Sequence, residues 1–249
     1  MDNDLLKIRP LATNKDNIEL NEAMKAKIIP AHAFSALVCG KSGSGKTMMV
    51  LNLLTRKEFY AGYFNEIYLV SPTAGEGDDL YKRHLKIKPD KIFKPDKEGV
   101  EKLQKIIEMQ KKDIKMKGMG GCKKVLIIFD DVAHKRKFLA SDTYLNLHIA
   151  NRHYCISCMT LVQSYVKMPR SCRCNCSAIF FMHGCTNTEE KRLCDEHCPT
   201  KHSEEEFSQI VSHATALPYD FLYINKQKKM KYRYMKNLDK VLILDKLPE

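Results

Sequence analysis

Long apolar runs are missing from this chain, and no stretch approaches the ~20 consecutive residues that a membrane-spanning helix requires. The opening Met1-Asp2-Asn3-Asp4 lacks the basic and then apolar pattern of a secretory signal, so a reducing, cytosol-like compartment is expected. That setting excludes a disulfide framework for the ten cysteines, which then pack as small hydrophobes or hold metal. Acidic residues are also scarce: 30 Asp and Glu face 42 Lys and Arg, a formal charge of +12. Such an excess suits a polyanionic partner, nucleic acid or a membrane surface, and equally suits a protein that is only well solvated. No internal repeat or low-complexity tract is evident, and 249 residues suffice for one large domain, or a core with a small appendage.

Residues 1 to about 30 are polar and mixed in charge, with Pro10 and Pro30 as breakers, and read as an arm. A core is expected over 31–185, followed over 186–249 by helices and a basic β-hairpin packed on it. Within the core, Phe34 to Cys39 is a short apolar run ending in a glycine-rich turn, and Met48 to Leu54 is apolar and free of breakers. Strand, loop and helix follow in that order. Glu66 to Val70 and Val125 to Phe129 have the continuous apolar character of strands buried on two faces, and further strands are expected at 156–162 and 178–182. Leu103, Ile106 and Ile107 recur at helical spacing within a predicted helix over 96–117, and another helix is predicted over 141–153. Alternating strands and helices imply an α/β fold of three layers around a mostly parallel sheet. After residue 186 a charged helical stretch precedes Phe221 to Ile224 and Lys231 to Met235, the expected strands of the terminal hairpin.

The glycine-rich turn reads Gly40-Lys41-Ser42-Gly43-Ser44-Gly45-Lys46-Thr47, which satisfies G-x-x-x-x-G-K-[ST]. Glycines let the backbone curl so that successive N–H groups point inward at phosphate oxygens, and the following helix turns its positive end to the same charge. In such a loop Lys46 reaches the β- and γ-phosphates of ATP and Thr47 binds Mg²⁺. Asp130 and Asp131 close the apolar strand 125–129; the first is assigned to the metal and the second to orienting or deprotonating water. The alternative for that pair is a helix cap after a core strand. Met159 to Val162 leads to Gln163, a strand ending in an amide suited to sensing the γ-phosphate.

The order of these parts resembles the genome-packaging ATPases of large DNA viruses and virophages, the poxvirus-type branch of the FtsK–HerA lineage of P-loop motors. The carrying residues are the loop Gly40 to Thr47, Asp130-Asp131, and Asn151-Arg152-His153 leading to the strand that ends in Gln163. The resemblance runs from about Ile29 to Met182. It implies a P-loop core with an extra strand between the loop strand and the acid strand. It also implies an ATP-driven motor that assembles as a homo-oligomeric ring, a pentamer or hexamer, and threads double-stranded DNA into a preformed capsid. Capsid proteins are then partners, and the virion or a viral replication site in the host cytoplasm is the place of action. In that lineage a basic residue acts in the neighbouring subunit's site, and Arg152 and Arg170 match the two candidate positions. The chain departs from HerA-like members at Asp131, where those carry a glutamate.

Two lysine-rich stretches stand apart from this motif set. Lys102, Lys105, Lys111, Lys112, Lys115, Lys117, Lys123 and Lys124 crowd one helix and its exit, and Lys226, Lys228, Lys229, Lys231 and Arg233 crowd the hairpin. Each suits tracking of phosphates without base reading, and each equally suits a solvated surface. The alternative for Arg152 and Arg170 is a surface salt bridge, and for Arg170 or Arg173 a DNA contact. Cys172, Cys174, Cys176, Cys185, Cys194, His197 and Cys198 offer four zinc ligands in principle, although C-x-C-x-C is not the usual knuckle spacing; Cys155 and Cys158 are placed on a core strand. Rival functions are a nucleotide or small-molecule kinase, and a capsid or scaffold partner that uses bound nucleotide only as a switch.

Overall fold

The computed structural model describes residue 24 and residues 28–74, 80–200 and 202–243. Most of the expected N-terminal arm, Pro10 included, lies outside the described residues. Of that region residue 24 and residues 28–30 are described, and Met24, Ile29 and Pro30 are buried.

The chain runs β1 (Ser35–Cys39), α1 (Lys46–Thr55), β2 (Glu66–Val70), α2 (Leu80–Leu85), β3 (Ile92–Phe93), α3 (Lys97–Gly121) and β4 (Val125–Asp130). It continues through α4 (Arg136–Leu139), α5 (Asp142–Ile149), α6 (Asn151–Tyr154), β5 (Ile156–Val162), α7 (Arg170–Asn175) and β6 (Ala178–Met182). Last come α8 (Asn187–His197), α9 (Glu204–Ala214), β7 (Phe221–Asn225), β8 (Tyr234–Lys236) and β9 (Lys240–Leu242). All nine strands form one sheet in the order β3-β2-β4-β5-β1-β6-β7-β8-β9. The pairs from β3 to β6 are parallel, and those from β6 to β9 antiparallel. β5 thus stands between the loop strand β1 and the acid strand β4, the arrangement that the resemblance implies.

Alternation along the strands builds the three layers, because successive side chains leave opposite faces of a sheet. Leu37, Cys39, Ile127 and Phe129 join one apolar cluster with Leu103, Ile106 and Ile107 of α3, Leu193 of α8 and Phe207 of α9. Ala36, Val38, Leu126 and Ile128 join the other, with Val50, Leu51 and Leu54 of α1 and Tyr81 of α2. Full burial of each such aliphatic side chain contributes about 1.5–3 kcal/mol. α8 and α9 open on reciprocal capping boxes, Thr186 with Glu189 and Ser203 with Glu206, which satisfy amide donors left over at a helix start.

Buried polar side chains tie the layers together. His148 bonds Ser35 Oγ through Nδ1 (2.7 Å) and Thr160 Oγ1 through Nε2 (3.4 Å), and burial lowers its pKa to about 4. His32 meets Ser157 Oγ through Nδ1 (2.7 Å) and is likewise lowered by burial to about 4.

Four local expectations are corrected. The helix expected over 141–153 is broken at Ala150, where ψ swings to 16°, and α6 then ends in the left-handed Cys155 (φ 52°), which turns the chain into β5. Cys155 is therefore the cap before the strand; only Cys158 lies on it. The second hairpin strand begins at Tyr234, since Met230–Tyr232 coil into a 3₁₀ turn, and β9 adds a third antiparallel strand. Arg173 is no surface residue: its guanidinium grips Glu196 at 2.9 and 2.6 Å, caps the Met168 carbonyl and lies over the Tyr165 ring. Side-chain exposure of 7% and 3% for this pair removes Arg173 from any DNA contact.

Candidate functional site

At the carboxyl edge of the parallel strands, β5 fixes both halves of the site. Register places Cys39 beside Val162 and Asp130 beside Leu161, so β1, β5 and β4 end level with one another. Gly40 N–H donates to the Val162 carbonyl (3.1 Å), and Asp131 N–H donates to the Leu161 carbonyl (3.2 Å). The loop and the acid pair therefore hang from adjacent residues of one strand.

Glycine is required where the loop leaves β1. A Cβ on Gly40 would stand 2.5 Å from Ser44 Oγ and 2.6 Å from Met182 Cβ, closer than any real contact. Gly43 (φ 75°) and Gly45 (φ 90°) adopt left-handed backbone that other residues take at a cost, and Gly45 turns the chain straight into α1. Lys46, on the first turn of α1, folds back so that Nζ donates to the carbonyls of Gly40 (2.7 Å) and Lys41 (2.8 Å). Burial lowers its pKa, and Asp130, the strongest opposing influence, pulls it back up. Ser44 Oγ is buried and has no hydrogen-bond partner among the described residues.

Asp131 holds left-handed backbone (φ 52°), and its Oδ1 accepts a hydrogen bond from Gln163 Nε2 at 3.1 Å. The three strand ends thus bring together Lys46, Asp130, Asp131 and Gln163. Thr47 and Asp130 are half-buried, and a hydroxyl and a carboxylate are the hard oxygen donors that suit Mg²⁺. The unpartnered Ser44 hydroxyl and the cradle that a Gly40 Cβ would fill fit a phosphate chain in the loop.

Arg152 lies elsewhere. Arg152 is exposed on α6, just before the amino end of β5, so a seven-residue strand separates it from Gln163, roughly 20 Å at the usual rise. It cannot reach the loop of its own chain. Arg170 is exposed at the first residue of α7, downstream of Gln163.

Among the described residues no group of three or more His, Cys, Asp or Glu side chains could hold a metal ion. Of the cysteines of the 172–198 region, Cys172 and Cys176 are buried, Cys174 is exposed, and Cys185 Sγ lies 3.9 Å from Cys39 Sγ. No helix of the described residues is long and apolar enough to cross a membrane. Sequence reasoning missed the Arg173–Glu196 pair, for which a lone basic residue in a cysteine-rich stretch carries no signal.

Comparison with solved structures supports the fold. The DNA-packaging ATPase B204 of Sulfolobus turreted icosahedral virus superposes with a TM-score of 0.55 at 15% identity, covering 79% of this chain and 94% of that one. The genome packaging NTPase B204 of Sulfolobus turreted icosahedral virus 2, in complex with AMP, gives 0.53 at 14% identity over 78% and 93%. EssC (ATPases 2 and 3) from Geobacillus thermodenitrificans gives 0.50 at 13% identity over 87% of this chain and 40% of that one. No curated protein sequence matches. The model of the family described as Poxvirus A32 protein matches residues 22–212, so the chain belongs to that family.

Proposed function

We propose that this chain is the ATP-hydrolysing motor of viral genome packaging, acting on double-stranded DNA. The observation that carries the reading is the hanging of loop and acid pair from one strand, with Gln163 bonded to Asp131 between them. In this reading the amides of Gly40 to Thr47 hold the phosphates and Lys46 leaves its loop carbonyls to meet the β- and γ-oxygens. Mg²⁺, held by Thr47 and Asp130, supplies charge neutralisation at the phosphates when bound. Asp131 orients or deprotonates the attacking water, and Gln163, bonded to that carboxylate, reports the γ-phosphate to β5 and the rest of the sheet.

A neighbouring subunit supplies the remaining positive charge, from Arg152 or Arg170. The place of Arg152 at the far edge of the sheet demands a head-to-tail contact between copies, which is how closed rings form. DNA meets the amino edge of the sheet. Lys111, Lys115 and Lys117 on the second half of α3, with Lys123 and Lys124 before β4, stand at that edge, as does the turn from Lys226 to Arg233. Four strand spacings separate β4 from β7, roughly 19 Å, the scale of a duplex width. A preformed capsid receives the DNA.

ATP turnover measured with and without duplex DNA tests this reading. Multiple turnover stimulated by duplex is expected. Phosphate transfer to a small acceptor with no response to DNA would make the chain a kinase instead, and a single bound nucleotide without turnover would make it a switch.

A further inference from the structure

Beside the phosphate loop opens a groove of about 660 Å³ whose walls come from distant parts of the chain. Gly45 of the loop and Met48 and Asn52 of α1 form one wall, and Tyr219, Asn237 and Asp239 form the other. The Tyr219 ring lies against the loop itself: its Cδ1 would stand 3.0 Å from a Cβ on Gly45. The groove therefore begins where the phosphate cradle ends.

Three features mark its outer wall as built for contact. Tyr219 is 68% exposed and Met48 52% exposed, large apolar side chains on either side of the opening. Tyr219 (φ 70°) and Asn237 (φ 53°) both hold left-handed backbone, a costly conformation for a bulky aromatic and one that collects at ligand sites. A network also fixes the turn that carries the ring. The Asp220 carboxylate accepts from Asn237 Nδ2 (3.2 Å) and Leu217 N–H (3.4 Å) and pairs with Lys236 Nζ (2.7 Å), while His183 N–H donates to the Asp220 carbonyl (2.9 Å). An exposed aromatic ring held rigidly at the end of a phosphate loop is a stacking platform, because every base offers a π-face and stacking requires little ordering of a ring already fixed.

We propose that this groove is the base subsite of the nucleotide site: a purine stacks on the Tyr219 ring against Met48, and its polar edge faces Asn52 and Asp239. A two-ring base covers more of Tyr219 than a pyrimidine, so the site prefers ATP and GTP to CTP and UTP. The proposal rests on the reading of Gly40 to Thr47 as a phosphate-binding loop, and it assigns to the chain's C-terminal strands a part in nucleotide selection.

Calorimetric titration of the full chain with Mg²⁺-ATP, Mg²⁺-CTP and Mg²⁺-tripolyphosphate, a probe with phosphates and no base, tests it. The wild type binds ATP more tightly than either other probe. Tyr219→Ala weakens ATP roughly 5- to 100-fold, the range for loss of one base–aromatic stack, and leaves tripolyphosphate unchanged; Tyr219→Phe, which keeps the ring, restores ATP binding. Equal affinity of the wild type for ATP and tripolyphosphate overturns the subsite, as does an unchanged ATP affinity in Tyr219→Ala. A parallel loss of both probes in that variant also overturns it, since the ring would then only brace Gly45. A wild type that binds neither ATP nor tripolyphosphate overturns the phosphate-loop reading itself, and the subsite with it.

Discussion

The two edges of the parallel sheet are built on opposite plans. At the carboxyl edge a few residues are fixed by backbone: Gly40 and Asp131 hang from consecutive carbonyls of β5, and the Asp131 backbone and two loop glycines hold left-handed conformations. At the amino edge the charges are many and loosely held. Lys111 lies over Tyr154 and Lys124 over Tyr63, stem and ammonium spread on aromatic faces, while Lys123 pairs with Glu66 at 3.0 Å with half its side chain in water. Chemistry on one phosphorus atom needs placement to a fraction of an ångström, whereas attraction to a polyphosphate backbone needs charge and little geometry. The carboxyl edge has the first character and the amino edge the second, with the length of the strands between them.

The sharpest break between the edges is Lys46→Ala. Turnover is expected to fall by about 10³-fold or more, near 4 kcal/mol of lost transition-state stabilisation. Duplex affinity, read by fluorescence anisotropy, should stay within about twofold. A matching loss of DNA binding would mean that the two edges do not divide the work.

This division was legible to different degrees. The positions of Gly40 to Thr47, Asp130, Asp131 and Gln163 at strand ends were legible because each follows a short apolar run, where local pattern fixes both the strand and its exit. The position of β5 between β1 and β4 followed from the family resemblance and from nothing local, since strand order is set by non-local pairing. The groove at Tyr219 was invisible in the sequence: it joins residues 45, 48, 219 and 237, which only the antiparallel extension of the sheet brings together. Arg173 and Glu196 are 23 residues apart and pair only through the tertiary fold, and the bend at Ala150 has no glycine or proline to announce it. The capping boxes at Thr186 and Ser203 were written in the sequence as S/T-x-x-E, and they divide into two helices what composition shows only as one charged stretch.

Acid provides the next contrast, through histidines buried under the amino edge. His32 and His148 stay neutral in the folded chain down to about pH 4, whereas each takes up a proton near pH 6.5 once exposed. The unfolded state therefore binds more protons between those values. Stability is complete above about pH 6.5 and falls as pH drops toward 4, by up to about 1.4 kcal/mol per pH unit for each histidine. Urea midpoints from pH 7.5 to 4.5 should show that slope, and His148→Gln should flatten it; an unaltered slope would place the acid sensitivity elsewhere.

A smaller effect is expected from the diffuse edge. Replacing Lys111, Lys115 and Lys124 together by Gln should reduce duplex affinity about tenfold at low salt. The slope of log affinity against log salt should fall by about 0.9 for each DNA phosphate that the variant no longer neutralises. Basal turnover without DNA should not change. An unaltered salt slope would move the DNA surface off this edge.

Where the triphosphate lies is measured directly by a structure with Mg²⁺ and a non-hydrolysable ATP analogue. Phosphate oxygens are expected within hydrogen-bond distance of the amides between Gly43 and Thr47, with Lys46 Nζ moved from the Gly40 and Lys41 carbonyls onto the β- and γ-phosphates and the cation between Thr47 and Asp130. Phosphates bound away from the loop, or a loop still closed on Lys46 with the analogue elsewhere, would contradict this placement.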